Sequence, residues 1–166
     1  MLRGVIAVAL ICAVSPAAWA QRVTNAPAAD NGENFMLRLS AGADQFCLDA
    51  KDNRQNEGTP IFVWRCHGRE NQRWTVTRDQ DGTSVIVGTG GFCLDVRGQT
   101  SRANGTPVQL WRCHFLKNQR LAIAADGSIR EAESGKCLQA TRVADGAPVV
   151  LDTCQNQPTE HWQFAH

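Results

Sequence analysis

Phe92-Cys93-Leu94-Asp95-Val96 opens a unit that continues through Gly105-Thr106-Pro107, Gln109-Leu110-Trp111-Arg112-Cys113 and Asn118-Gln119-Arg120. The same order of marks stands before and after it. Upstream are Phe46-Cys47-Leu48-Asp49, Gly58-Thr59-Pro60, Cys66 and Gln72-Arg73-Trp74; downstream are Lys136-Cys137-Leu138-Gln139, Gly146-Ala147-Pro148, Cys154 and Glu160-His161-Trp162. The first cysteines, Cys47, Cys93 and Cys137, are 46 and 44 residues apart. A period of this size marks three copies of one supersecondary unit, none able to bury its apolar face alone. What all three copies keep reads as scaffold, and what only some keep is a candidate site.

Between the marks lie short β-rich runs. Phe35–Leu39, Val85–Val87 and Ser128–Arg130 precede the first cysteines. Pro60–Trp64, Pro107–Trp111 and Pro148–Leu151 each open on a proline that cannot donate to a ladder, and Arg73–Val76, Arg120–Ile123 and His161–Phe164 close the copies. Asp81-Gly82 and Asp126-Gly127 supply hairpin turns. No stretch carries sustained helical periodicity, so the class is all-β. The chain ends just after the third closing run, and Phe35–Leu39 supplies the hairpin partner missing there. The copies are therefore expected to join tail to head, which removes open sheet edges.

The first 33 residues differ from the rest. Arg3, the apolar run Gly4–Val14, Pro16 and Ala18-Trp19-Ala20 have the order of a secretory signal peptide, expected over residues 1–20. The run is too short to span a bilayer comfortably. Ile11 suits a lipoprotein cleavage site poorly, so Cys12 is expected to leave with the signal. Residues 21–33, rich in Ala, Asn and Pro, read as a flexible leader, and residues 34–166 as one domain. The expected location is secreted or periplasmic.

Without Arg3 the chain carries 16 basic and 16 acidic residues, and it has no basic stripe. That argues against nucleic acid and against membrane insertion, and for a neutral partner. Six cysteines remain, which allow 15 pairings. Pairing within copies, Cys47–Cys66, Cys93–Cys113 and Cys137–Cys154, is the scheme that treats the copies alike. No CxxC pair exists and a secretory signal favours disulfides over zinc, so neither metal nor cofactor is expected.

These residues resemble the ricin B-type lectins, β-trefoils built from three Q-x-W repeats. The resemblance rests on Cys93–Val96, Gln109–Cys113 and Asn71–Trp74, and it extends from Asn34 to His166. It implies a carbohydrate-binding module with up to one shallow pocket per repeat, often for galactose or N-acetylgalactosamine. In such a pocket the Asp after the first cysteine accepts sugar hydroxyls and an aromatic ring two residues before the second cysteine stacks on the sugar. The Asn of Asn-Gln-x-Trp completes the clamp, and the Gln supports it. The chemistry is sound by itself, since an ionised carboxylate accepts strong hydrogen bonds and Trp adds rigid contact area. Such an open pocket binds at about 0.1–10 mM, so useful affinity needs several sites on a clustered glycan.

The second copy has the full set, Asp95, Gln109, Trp111, Asn118 and Gln119, with Leu121 for the closing Trp. The first keeps Asp49, Trp64, Asn71 and Gln72, with Phe62 where the second has Gln109. The third has Gln139, Asp152 and Thr159-Glu160 in their places and reads as scaffold. Trp74 and Trp162 are expected in the core, and Trp64 and Trp111 on exposed loops. His67 and His114 follow cysteines expected to be oxidised and read as surface residues. Asp49 and Asp95, as equivalent positions of related units, are expected to be too far apart for a glycosidase pair, and no catalytic motif appears. Two other classes stay open: the cell-binding subunit of a bacterial toxin or hydrolase complex, favoured by an exposed apolar patch away from the pockets, and a protein-binding trefoil such as a protease inhibitor, acting through a protruding loop.

Overall fold

Runs of three to seven residues, rich in β-branched, aromatic and aliphatic side chains and set between turns, leave no length for a helix, and the computed structural model of the chain is correspondingly built of strands. It describes residues 34–99 and 102–166. The expected signal peptide, with Cys12 and Trp19, and the leader at 21–33 lie outside the described residues. The first repeat contributes β1 (Met36–Ala41), β2 (Asp44–Ala50), β3 (Ile61–Arg65) and β4 (Thr75–Arg78). The second contributes β5 (Ser84–Val87), β6 (Cys93–Val96), β7 (Thr106–Trp111) and β8 (Leu121–Ile123), and the third β9 (Ile129–Glu131), β10 (Cys137–Ala140), β11 (Ala147–Asp152) and β12 (Gln163–Ala165). Short 3-10 turns at Glu70–Gln72 and Lys117–Gln119 carry the Asn-Gln pairs.

The ends close as the repeat count requires. β1 pairs antiparallel with β12, with Met36 opposite Ala165 and Arg38 opposite Gln163. This ladder stands where β4–β5 and β8–β9 stand between the other copies. Within each copy the cysteine strand pairs with the next, as β2–β3, β6–β7 and β10–β11. The inner strands then meet one another, because β11 pairs with both β3 and β7 and Pro60 bridges to Gln109. The result is a β-trefoil.

The Gly-x-Pro turns explain how copies dock. Each glycine amide donates to a carbonyl of the next copy at 2.9 Å: Gly58 to Leu110, Gly105 to Leu151 and Gly146 to Val63. The residue before each glycine repeats the contact from its side chain. Glu57 pairs with Arg112, Asn104 hydrogen-bonds Thr153, and Asp145 accepts from the Arg65 amide. Pro107 and Pro148 lie inside β7 and β11 rather than opening them, with carbonyls that accept from Arg97 and Thr141 at 2.9 Å.

The core is one cluster filled by equivalent residues, including Leu48, Leu94 and Leu138 from the cysteine strands and Val63, Leu110 and Leu151 from the inner ones. Trp74 and Trp162 are fully buried, and their indole nitrogens donate to the carbonyls of Leu48 and Leu138. Gly88 is required by this packing, since a Cβ there would lie 2.4 Å from the Trp74 ring. The three disulfides pair within copies: Cys47–Cys66, Cys93–Cys113 and Cys137–Cys154.

Candidate functional site

Register places the candidate residues. In the second copy Cys93 is opposite Trp111 and Asp95 is opposite Gln109; in the first, Cys47 is opposite Trp64 and Asp49 is opposite Phe62. Residues two apart on a strand share a face. Asp95 and Trp111, and likewise Asp49 and Trp64, are therefore diagonal neighbours on one face of a two-stranded ladder. Neither tryptophan is on a loop, contrary to expectation. Both sit near strand ends, each opposite the first cysteine of its copy, with Trp64 exposed at 46% and Trp111 half-buried.

The carboxylates are buried rather than open, with Asp95 only 3% exposed. A buried carboxylate needs donors, and the second copy supplies three side-chain amides. Gln109 Nε2 donates to Oδ1 at 3.1 Å, while Asn118 Nδ2 and Gln119 Nε2 donate to Oδ2 at 2.8 and 2.9 Å. Burial pushes the Asp95 carboxyl above its ordinary value of 3.8, and Gln119, Gln109, His114 and Asn118 pull it part of the way back. Asp49 is also raised by burial, with Gln72, Asn71 and His67 opposing and Asp52 adding to the rise. In both, the cost of desolvating the charged form outweighs the hydrogen bonds it accepts.

Gln72 and Gln119 do more than support. Each is fully buried, and its oxygen accepts two backbone amides, those of His67 and Gly68 or of His114 and Phe115. Its nitrogen donates to the site Asp and to the carbonyl of Arg65 or Arg112. One side chain thus locks the loop after the second cysteine to the carboxylate. Asn71 donates to the Ala50 carbonyl at 3.3 Å, and Asn118 to the Val96 carbonyl at 3.1 Å.

His67 and His114 are not free surface residues. Nε2 of each lies 3.5 Å from the site carboxylate, and the side chains are 31% and 21% exposed. Nδ1 accepts a backbone amide at 3.2 Å, from Arg69 or Leu116. The neutral ring therefore carries its proton on Nε2, facing the Asp. The signal was their equivalence in two repeats, each directly after the second cysteine.

An open cleft of 550 Å³ lies over the first copy, lined by Asp49, Phe62, Trp64, His67 and Asn71. Its remaining walls are Lys51, Asp52, Asn53 and Arg69, and Gly146 from the third copy. The cleft spans a repeat boundary because the Gly146 turn docks on β3, where a Cβ would come within 3.4 Å of the Trp64 ring. Phe62 does form part of the aromatic wall, with Lys51 Nζ 5.5 Å from its ring centre.

The third copy inverts the polar pair. Glu160 is buried and its carboxylate accepts the amides of Gln155 and Gln157, while Gln139 stands half-buried where the Asp would be. Asp152 accepts from the Thr153 amide. A cleft of 540 Å³ near this copy is lined by Asp126, Ser128, Arg130 and His161, with neither Gln139 nor Asp152 on its wall. Among the described residues there is no cluster of three metal-ligating side chains and no helix long and apolar enough to cross a membrane.

Family comparison agrees with the fold. The ricin-type β-trefoil lectin domain matches residues 82–166, and a second family model, described as ricin-type β-trefoil lectin domain-like, matches residues 21–111. The chain belongs to the ricin-type β-trefoil lectin domains. The module matched is the non-catalytic, carbohydrate-binding one. Nigrin b of Sambucus nigra is 28% identical over 138 residues, covering 80% of this chain and 23% of that protein. The lectin domain spans about a fifth of the length of the curated relatives it matches. Among solved structures, the designed threefold-symmetric protein ThreeFoil superposes with a TM-score of 0.72 at 23% identity, over 79% of this chain and 98% of that one. The C-half of an earthworm R-type lectin, solved in complex with GalNAc, does so with a TM-score of 0.59 at 16% identity, over 80% and 98%. At these identities the structural likeness is one of fold.

Proposed function

We propose that this lectin domain works outside the cytoplasm and binds terminal galactose or N-acetylgalactosamine through the first and second copies, the third being scaffold. One observation carries the reading. In two of three equivalent places a buried carboxylate is gripped by side-chain amides from the closing turn, with a tryptophan diagonal to it on the same face. A carboxylate so held accepts two neighbouring hydroxyls, while Trp64 or Trp111 meets the C–H face that an axial 4-hydroxyl leaves open on a galactose ring. His67 and His114, with a proton on Nε2, and Asn71 and Asn118 complete the polar rim. The earthworm lectin's complex with GalNAc supports the choice of sugar. The three disulfides support an oxidising compartment.

The rival classes need an apolar docking face away from the pockets, or a protruding loop. The large apolar side chains exposed among the described residues are Trp64, Phe115 and Leu116, which stand in or beside the two sites. The test is a glycan array with the mature protein and with the Asp49→Ala, Asp95→Ala double variant. Galactose-terminated glycans should be retained by the first and lost by the second. Retention by both, or binding to no glycan, overturns the proposal.

A further inference from the structure

Phe115 and Leu116, 58% and 48% exposed, stand side by side on the loop between Cys113 and Asn118. Phe115 also has a φ of 59°. A bulky side chain in the left-handed region is an outlier, because its Cβ crowds the following carbonyl. The equivalent positions, two residues after the second cysteine, are Gly68 with φ 69° and Asn156 with φ 58°, residue types that adopt this backbone readily. The copy with the full set of Asp95, Gln109, Trp111, Asn118 and Gln119 is thus the one that carries an aromatic ring on a backbone that disfavours it.

The backbone that carries the ring is tied to the site. Gln119 accepts the Phe115 amide at 3.2 Å on one end of its side chain and donates to Asp95 at 2.9 Å on the other. Leu116 is fixed at both ends, its amide on His114 Nδ1 and its carbonyl on the Gln119 amide. Next to it Lys117 reaches Glu133 in the third copy. The backbone of the apolar pair is thus held in place before any ligand arrives.

We propose that Phe115 and Leu116 form an apolar platform continuous with the second site, which contacts an apolar face on the group attached to the clamped sugar. Backbone strain persists where the surroundings enforce it and tends to gather at binding sites; here Gln119 enforces it. The second site then prefers glycosides with an aryl or similarly apolar neighbour over the simple sugar. The first site, with Gly68 in that place, lacks the platform. This rests on the second site being a sugar site.

The test is an NMR titration of backbone amides with methyl and phenyl galactosides and N-acetylgalactosaminides, in both anomers, which follows the two sites separately. At the second site the phenyl glycoside should bind on the order of five- to tenfold more tightly than the methyl one, shifting the Phe115 and Leu116 amides, while the first site shows little preference. Phe115→Gly relieves the positive φ, so its effect on ligand preference is not a loss of fold, and it should bring the phenyl-to-methyl ratio close to one. Phe115→Asn should do the same. A ratio unchanged by both substitutions, or equal at both sites, overturns the inference and leaves the sugar site standing. A Phe115-dependent dimer in sedimentation velocity with an unchanged ratio assigns the pair to a contact between copies and also overturns it. No methyl glycoside perturbing Asp95 defeats the sugar site itself, and this inference with it.

Discussion

Gln119 and Asp95 form a donor–acceptor pair, Nε2 to Oδ2 at 2.9 Å, inside a lattice in which the same amide holds two backbone N–H groups and the Arg112 carbonyl. An amide side chain can donate to a carboxylate and accept from a loop at once, and Gln119 does both. At the equivalent positions the third copy has Gln139 and Glu160, the amide and the carboxylate exchanged, and Glu160 accepts the backbone amides of Gln155 and Gln157.

Gln119→Glu should therefore destabilise the domain by about 3 kcal/mol, since it sets two buried acceptors against each other. Adding Asp95→Gln reproduces the third copy's pair and should recover most of that loss. Sugar binding at the second site should be absent from both variants. Denaturant unfolding of the double-mutant cycle measures the coupling; additive losses would mean the pair is not the unit described.

The raised carboxyls of Asp49 and Asp95 set opposite pH trends for binding and folding. Binding needs the ionised form, so sugar affinity should fall as pH drops through a midpoint above 3.8, the ordinary aspartate value. For folding the sign reverses. A carboxyl raised in the folded state favours folding below its unfolded pKa, and that contribution is lost as pH rises through the folded one. The stability of Asp95→Asn relative to the native chain should thus be more favourable near pH 7 than near pH 4. Unfolding curves at the two pH values check the trend, and affinity that stays flat to pH 3.8 would remove the carboxylate from the clamp.

The two site tryptophans should separate in stability but not in binding. Trp64→Ala and Trp111→Ala should each weaken binding at their own site about tenfold, by loss of a stacking face. Trp64 is exposed at a strand end, so its removal should shift the thermal midpoint little, whereas half-buried Trp111 should lower it by several degrees. Calorimetric melts beside the NMR titration read both quantities.

Trp74 and Gly88 should behave as one packing unit. Trp74→Ala should cost about 3–5 kcal/mol, through the cavity and the stranded Leu48 carbonyl. Gly88→Ala alone should be severe, because its Cβ would overlap the ring. In a Trp74→Leu background it should be tolerated. The boundary between the second and third copies already has this combination of residues, Leu121 with Ala132 five residues before Cys137. Thermal melts of the two singles and the double give the coupling, and additivity would disprove it.

The legible parts of this protein were the ones that repeat. Three cysteine pairs, the turns before Pro60, Pro107 and Pro148, and the missing hairpin partner after Trp162 were enough to read an all-β trefoil closed by the strand at Met36. Comparison of copies also marked Asp49, Asp95, Trp64 and Trp111, because residue identity and spacing are local properties.

Contacts between copies are not local, and there the tertiary structure decided. Gly146 walls the first site because the third copy's turn docks on β3. His67 and His114 face the carboxylates because Arg69 and Leu116 amides fix their rings. Trp64 and Trp111 fall near strand ends because they pair opposite Cys47 and Cys93 in the ladder. The sequence by itself determined the threefold scaffold, since periodic burial and fixed turns admit one way to close. Which faces of that scaffold become pockets depended on contacts between residues 80 or more positions apart, such as Arg65 with Asp145, and no spacing along the chain encodes those.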